Sequence, residues 1–435
     1  MIDDLVAVLG ANAVQIPDAP LMDICRFDLG QPRAVVRPTT AHQVVEVMAV
    51  AAQHAMTVVP VGERTAYWRP LHLNGAIAVQ SGGIRGIHID GERIRCGAGE
   101  PVRLIDQTLR AAGRHLSIHP DAFGDTGLGA MVSCDCRSGI GMGNGPFSDW
   151  LTGIEVVTGG GDKIWVDEPD ALRMFVGAEG CLGLITAVEF IAPKTPWRAH
   201  LSAKSHDPLA LARVAQALGE DRDFDTFRCT QQTERDEPSS AWTADIWIQS
   251  SVSLDDALER AEACTAALLE PAGIQAQLTA EPESARAGRS PEYDARFNGP
   301  IGAHHDFVQA AHFVGIDVVC GYPGLPKVIA LMEDFSREQQ AYGALSTRLA
   351  LYCAPDFVNV GLHSSLPKHE AAVAWSRTHQ SAAHRALADA GVMPYRAGRV
   401  WPVDPVTPER RTALRELKAQ LDPTGRLCPD HRWFG

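Results

Sequence analysis

Residues Pro60-Val61-Gly62-Glu63-Arg64-Thr65-Ala66-Tyr67-Trp68 follow Thr57-Val58-Val59, a short apolar run that reads as a buried strand. A turn at that point can aim several backbone N–H groups at an anion, with Gly62 as the pivot that tolerates unusual backbone angles. A second stretch, His119-Pro120-Asp121 through Thr126-Gly127-Leu128-Gly129-Ala130-Met131-Val132 and on to Gly145, is dense in glycine with apolar residues interleaved. That composition implies backbone packed closely against something flat or anionic.

The elements that must position these loops are readable nearby. Ala41 to His54 has Val44, Val47, Met48 and Ala51 on one helical face, with Thr40 as N-cap. Ala76 to Gln80 reads as a strand, and Ile84–Asp90 with Glu92–Gly99 reads as a hairpin turning at Asp90-Gly91. Val102 to Ala112 is a helix closed by Gly113.

These pieces resemble, in order, the vanillyl-alcohol oxidase and p-cresol methylhydroxylase family of flavoproteins. The resemblance rests on Arg37-Pro38-Thr39-Thr40, the loop from Pro60 to Tyr67, Gly97-Ala98-Gly99, Thr126 to Val132, Asp149 to Val157, and most specifically Phe175-Val176-Gly177-Ala178-Glu179-Gly180-Cys181-Leu182-Gly183-Leu184-Ile185-Thr186. Leu417 to Pro429 resembles the family's closing segment. The phosphate loop departs from the pattern, with one glycine where the family carries several.

The resemblance implies an α+β chain: an FAD-binding domain over 1–196, an antiparallel-sheet cap domain over 197–392, and a segment over 393–435 returning to the first. It implies FAD lined by Pro60, Val61, Gly62, Glu63, Arg64, Thr65, Ala66, Pro120, Thr126, Gly127, Gly129, Ala130, Ser133, Glu179, Gly180, Gly183 and Ile185, with a covalent link through His312 as an option. Tyr67, five residues after Gly62, and the pair Tyr395-Arg396 match the phenol-oxidising branch, where two phenol hydroxyls and a guanidinium stabilise a phenolate. Asp121, or else Asp125, lies where that branch carries a base near flavin N5.

The expected reaction is therefore hydride removal from the benzylic carbon of a para-hydroxyphenyl compound. It leaves a p-quinone methide that is hydrated, desaturated or decarboxylated, and dioxygen takes the electrons. Oxidation of an alcohol, sugar or 2-hydroxy acid is the alternative. The hydroxy-acid form is disfavoured because Asn359-Val360-Gly361-Leu362-His363-Ser364-Ser365 lacks the acidic residue of the related motif. A catalytically silent flavin-binding assembly subunit is a reading from another class.

The 435 residues are 45% hydrophobic, enough for two cores, and the net charge of −14 without a basic patch excludes nucleic acid as a partner. An acidic start and the lack of a long apolar run lead to the expectation of a soluble, cytoplasmic protein away from membranes, with self-association left open. Ten cysteines include no CxxC pair, so a reducing compartment and no metal site are expected.

From Trp197 onward, Ala244–Gln249, Phe313–Cys320 and Val358–Leu362 read as strands. Helices follow Ser253, run over Pro326–Tyr342, and span Lys368–Ala390.

Overall fold

The computed structural model describes residues 1–23, 28–65, 72–120, 126–136, 141–221, 224–235, 241–287, 312–394, 407–431 and 433–434. Statements of absence below refer to these residues.

The first layer is a small sheet in the order β1 (Val14–Gln15), β4 (Ala34–Val36), β6 (Ile77–Gln80) and β5 (Val58–Val61). β4 and β5 both run parallel to β6, so the chain needs a crossover, and helix α2 (Ala41–Gln53) supplies it. Thr40 Oγ1 accepts from Gln43 N at 3.2 Å, and the face bearing Val44, Val47, Met48 and Ala51 is buried.

The second layer is antiparallel apart from its turns, ordered β10 (Lys163–Val166), β9 (Leu151–Val157), β11 (Leu184–Ile191), β8 (Arg93–Gly97) and β7 (Ile87–Asp90). The hairpin turns at Gly91, whose φ of 60° lies in the left-handed region. Helix α3 (Val102–Ala111) buries Val102, Ile105 and Leu109.

The third layer is an eight-stranded sheet ordered β15 (Gln275–Ala280), β12 (Trp197–Ser205), β14 (Trp242–Ser250), β13 (Phe224–Glu234), β17 (Ser346–Cys353), β18 (Val358–Leu366), β16 (His312–Cys320) and β19 (Met393–Pro394). Strand alternation gives this sheet two distinct faces. Leu349, Leu351, Leu362, Ile316 and Val318 belong to a core shared with helices Pro208–Asp221, Leu254–Cys264 and Leu325–Tyr342. Ala350 and Tyr352, on the opposite face, belong to the core that also holds Val36, Val58, Ile77 and Val156. One face of the large sheet is thus covered by helices, and the other packs on the first two layers.

The architecture is α+β and is that expected of a p-cresol methylhydroxylase-type FAD-binding fold with an antiparallel cap sheet. Several elements escape the sequence reading. β12, β13, β15 and β17 carry no turn signal strong enough to separate them. The final helix, Pro408–Leu421, exposes most of its length and buries only Leu414 and Lys418.

Candidate functional site: a cofactor cradle and a polar sheet face

Pro60 and Val61 end β5, and Gly62, Glu63, Arg64 and Thr65 form the turn that leaves it. Arg64 has a φ of 58°, rare for a side-chain-bearing residue. The backbone N–H groups of Gly62 to Thr65 find no acceptor among the described residues. Gly62, Arg64 and Thr65 are half-buried, so this short run of amide donors is available to an anion.

Three segments converge on this turn. A Cβ on Gly62 would stand 3.2 Å from Ala130 Cβ, and one on Gly180 would stand 3.1 Å from Pro60 Cγ. Glu179 N donates to Ser133 O at 2.9 Å. Glu179 and Gly180 are consecutive left-handed residues, with φ of 52° and 77°. The Glu179 carboxylate is buried and lies 3.1 Å, Oε2 to Nε2, from His431.

The chain end closes the cradle from behind. Val58 N donates to Arg426 O and Cys428 N donates to Val58 O, both at 2.9 Å, so Leu427 forms a single parallel bridge to β5. Lys418 Nζ donates to Cys181 O at 2.7 Å and to Leu427 O at 2.5 Å, and pairs with Asp422 at 2.8 Å.

Other expected cofactor residues also take part in packing between loops. Gly127 and Gly129 allow the chain to pass over Ala98: a Cβ on Gly129 would come within 2.7 Å of Ala98 Cβ. Gly183 gives way to Val156 Cγ1, Ile185 is buried in β11, Thr126 O accepts from Val102 N, and Pro120 is buried. The structure places His312, expected as an optional covalent link, in the large sheet. His312 is fully buried, donates or accepts at 2.7 Å with Ser376 Oγ of helix Glu370–Asp389, and shares its sheet face with Val314 and Leu366 under that helix. It therefore points into the helical layer, away from the face that packs on the cradle's domain. Ala66, Tyr67, Asp121, Asp125, Tyr395 and Arg396 lie outside the described residues.

The face of the large sheet turned toward the first two layers is polar. Near its start, Gly141 N donates to Thr226 Oγ1 at 2.8 Å and Asn144 Nδ2 donates to Asp225 Oδ1 at 2.9 Å. Asp225 also accepts from Arg198 Nη2 at 3.0 Å. Behind it, Asp106 Oδ2 accepts from Arg110 Nε at 2.8 Å, and its Oδ1 lies 3.1 Å from His119 Nε2. Burial opposes ionisation of Asp106, yet Arg110, His119 and the Leu116 N–H hold its carboxyl well below the usual range. Burial, reinforced by Arg198 and Arg110, pushes the His115 imidazole down to about 3.

Farther along that face the register places Gly315 and Arg348 beside His363, and Asp317 and Ala350 beside Gly361. His363 Nε2 is 3.2 Å from Asp317 Oδ2, and Arg348 Nη2 donates to His363 Nδ1 at 3.0 Å. None of these three was singled out as a site residue from the sequence. The usable signal was period-two alternation, which puts Asp317 and His363 on one face once β16 and β18 are paired. Among the described residues no group of three or more His, Cys, Asp or Glu has a metal-binding arrangement, and no helix is long and apolar enough to cross a membrane.

Comparison with known proteins places the cradle. Residues 32–167 match the family model described as FAD binding domain. A glycolate oxidase subunit, GlcE, of Escherichia coli (strain K12) is 29% identical over 129 residues, covering 27% of this chain and 37% of that protein. A glycolate oxidase subunit, GlcD, of Bacillus subtilis (strain 168) is 25% identical over 182 residues, covering 38% and 37%. The chain thus spans well under half the length of these curated relatives. The 4-ethylphenol oxidase of Gulosibacter chungangensis superposes with a TM-score of 0.77 over 99% of this chain and 96% of its own, at 14% identity. At that identity the likeness speaks for the fold. The matched segment, the amide-lined turn and the sheet architecture agree that residues 32–167 of this chain form an FAD binding domain.

Proposed function

We propose that the protein is an FAD-dependent oxidoreductase acting on a small hydroxylated organic molecule. The observation that carries this reading is the turn Gly62–Thr65, whose amide N–H groups have no acceptor among the described residues and suit the diphosphate. Bound FAD supplies the hydride acceptor. The chain's own residues hold it: the turn binds the anionic diphosphate, and Glu179-Gly180 keeps Pro60 and Ser133 together. The sheet face excludes water and orients the substrate.

In the finer reading the substrate is a para-hydroxyphenyl compound that loses hydride from its benzylic carbon to give a p-quinone methide. Tyr67, Tyr395 and Arg396 stabilise the phenolate, Asp121 or Asp125 takes a proton, and dioxygen reoxidises the flavin. A 2-hydroxy acid is the second reading, and one observation favours it. The carboxylate missing from the Asn359–Ser365 segment is supplied beside His363 by Asp317 of the neighbouring strand. The relationship to a protein named as an oxidase subunit also supports a subunit partner for this chain.

Anaerobic titration of the purified holoprotein decides between them. Bleaching of the flavin by para-alkylphenols supports the first reading, and bleaching by 2-hydroxy acids alone supports the second. A flavin that no organic donor bleaches overturns both and leaves the assembly-subunit reading.

A further inference from the structure

We propose that Arg348, held in place by His363 and Asp317, forms a subsite for an anionic oxygen of the substrate, either a carboxylate or a phenolate. The inference rests on the oxidoreductase reading and assigns residues to substrate recognition that the cofactor cradle does not use.

Three arginines project from the same face of the large sheet. Arg198 contacts Asp225 and Glu281, and Arg228 contacts Asp245 at 2.9 Å. Arg348 differs: its one hydrogen-bond partner among the described residues is the neutral acceptor His363 Nδ1, and no carboxylate lies within ion-pair distance. A half-buried guanidinium without a direct counter-ion carries a desolvation cost that an anionic ligand relieves.

The arrangement is preorganised. Asp317 and His363 are 5% and 6% exposed, and a carboxylate accepting from Nε2–H fixes the tautomer that leaves Nδ1 as acceptor for Arg348. One guanidinium N–H is thereby anchored, and the fork keeps further donors for a bidentate ligand. Gly361 makes the arrangement fit: a Cβ there would stand 2.6 Å from Asp317 Oδ1 and 3.0 Å from His363 Cε1. Phe313, with its ring centroid 5.7 Å from the imidazole, walls the buried end. Exposed Gln232, register partner of Arg348 on β13, marks the open end. Arg348, Ala350 and Tyr352 alternate along one face of β17, and the last two pack into the core of the first two layers, so the subsite borders that seam.

The test uses the holoprotein and two probes that cannot be turned over: oxalate, which has no C–H, and phenol, which has no benzylic carbon. Binding is read as a saturable perturbation of the flavin absorption band. The expected result is that at least one probe binds and that Arg348→Met weakens it about 10- to 100-fold, with Arg348→Lys intermediate. FAD content and melting temperature should match the parent protein. Should Arg348→Met fold poorly, Arg348→Gln carries the same expectation. His363→Gln and Asp317→Asn, as positioning changes, should raise the dissociation constant less than Arg348→Met. Oxalate binding alone identifies a carboxylate, and phenol binding that tightens as pH rises identifies a phenolate. Failure of both probes to bind, or equal binding by the parent and Arg348→Met, overturns the subsite. Binding needs no turnover, so a flavin that no donor bleaches would sink the oxidoreductase reading while leaving this result standing.

Discussion

The Glu179 carboxylate and the His431 imidazole meet at 3.1 Å across 252 residues of chain, and both are buried. Glu179 occupies a left-handed backbone position, and Gly180 beside it rests on Pro60. The contact thus reaches the Gly62–Thr65 turn through one residue and keeps a strained conformation in place.

Removing His431 should loosen the cradle more than it harms the fold. For His431→Ala we expect FAD affinity to fall about 10-fold, equivalent to roughly 1.4 kcal/mol, with a smaller loss for His431→Gln. Fluorescence of released FAD measures this. Unchanged affinity in both variants would show that the pair plays no part in cofactor retention.

Lys418→Met should act on stability. It strips the cation from Asp422, whose carboxylate is wholly buried and also accepts from Leu427 N at 2.9 Å. A buried charge left without its partner costs about 3–5 kcal/mol. Thermal melting of the apoprotein should show the fall, and a variant that melts with the parent would refute the assignment.

Acid should weaken the seam through His115. Its folded value is pushed down to about 3 from 6.5, so below 6.5 the unfolded chain binds a proton that the folded chain does not. Stability is therefore held above pH 6.5 and lost as pH falls toward 3, at a limiting slope of about 1.4 kcal/mol per pH unit. His119, lowered mainly by burial, adds in the same direction. Denaturant titrations of His115→Leu across pH 4 to 7 should give a shallower slope than the parent, and an identical slope would remove His115 as the cause.

Gly143→Ala should disturb the seam sterically. A Cβ there would meet Phe224 O at 2.0 Å, a backbone atom of β13 that cannot swing aside. Overpacking of this kind costs about 1–3 kcal/mol. The measurement is susceptibility to proteolysis between the two sheets, expected to rise.

Much of the cofactor domain could be read directly because its signals are local. Thr40 caps α2 as its type suggests, Gly91 turns the hairpin, and Gly113 follows α3 with a φ of 72°. The large sheet was harder because its strands pair across long separations: β13 with β17 and β16 with β18 depend on register, which no local pattern sets. The glycines of Thr126–Val132 read as needing close approach, and Gly127 and Gly129 lie close against Ala98 and its neighbours. The setting of His312 was not legible either, because a strand residue's face follows from its pairing, and one step of alternation separates the helical layer from the seam.

The bridge between Val58 and Leu427 has a consequence for biosynthesis. Val58 and Leu427 meet across a long stretch of chain, so this contact behind the Gly62–Thr65 turn cannot form until residue 427 has been synthesised. Contacts of such sequence separation form late, after the entropy of closing a long loop has been overcome. This side of the turn is thus completed only after residue 427 has been synthesised, and a nascent chain stalled before residue 426 should hold FAD less tightly than the longer chain.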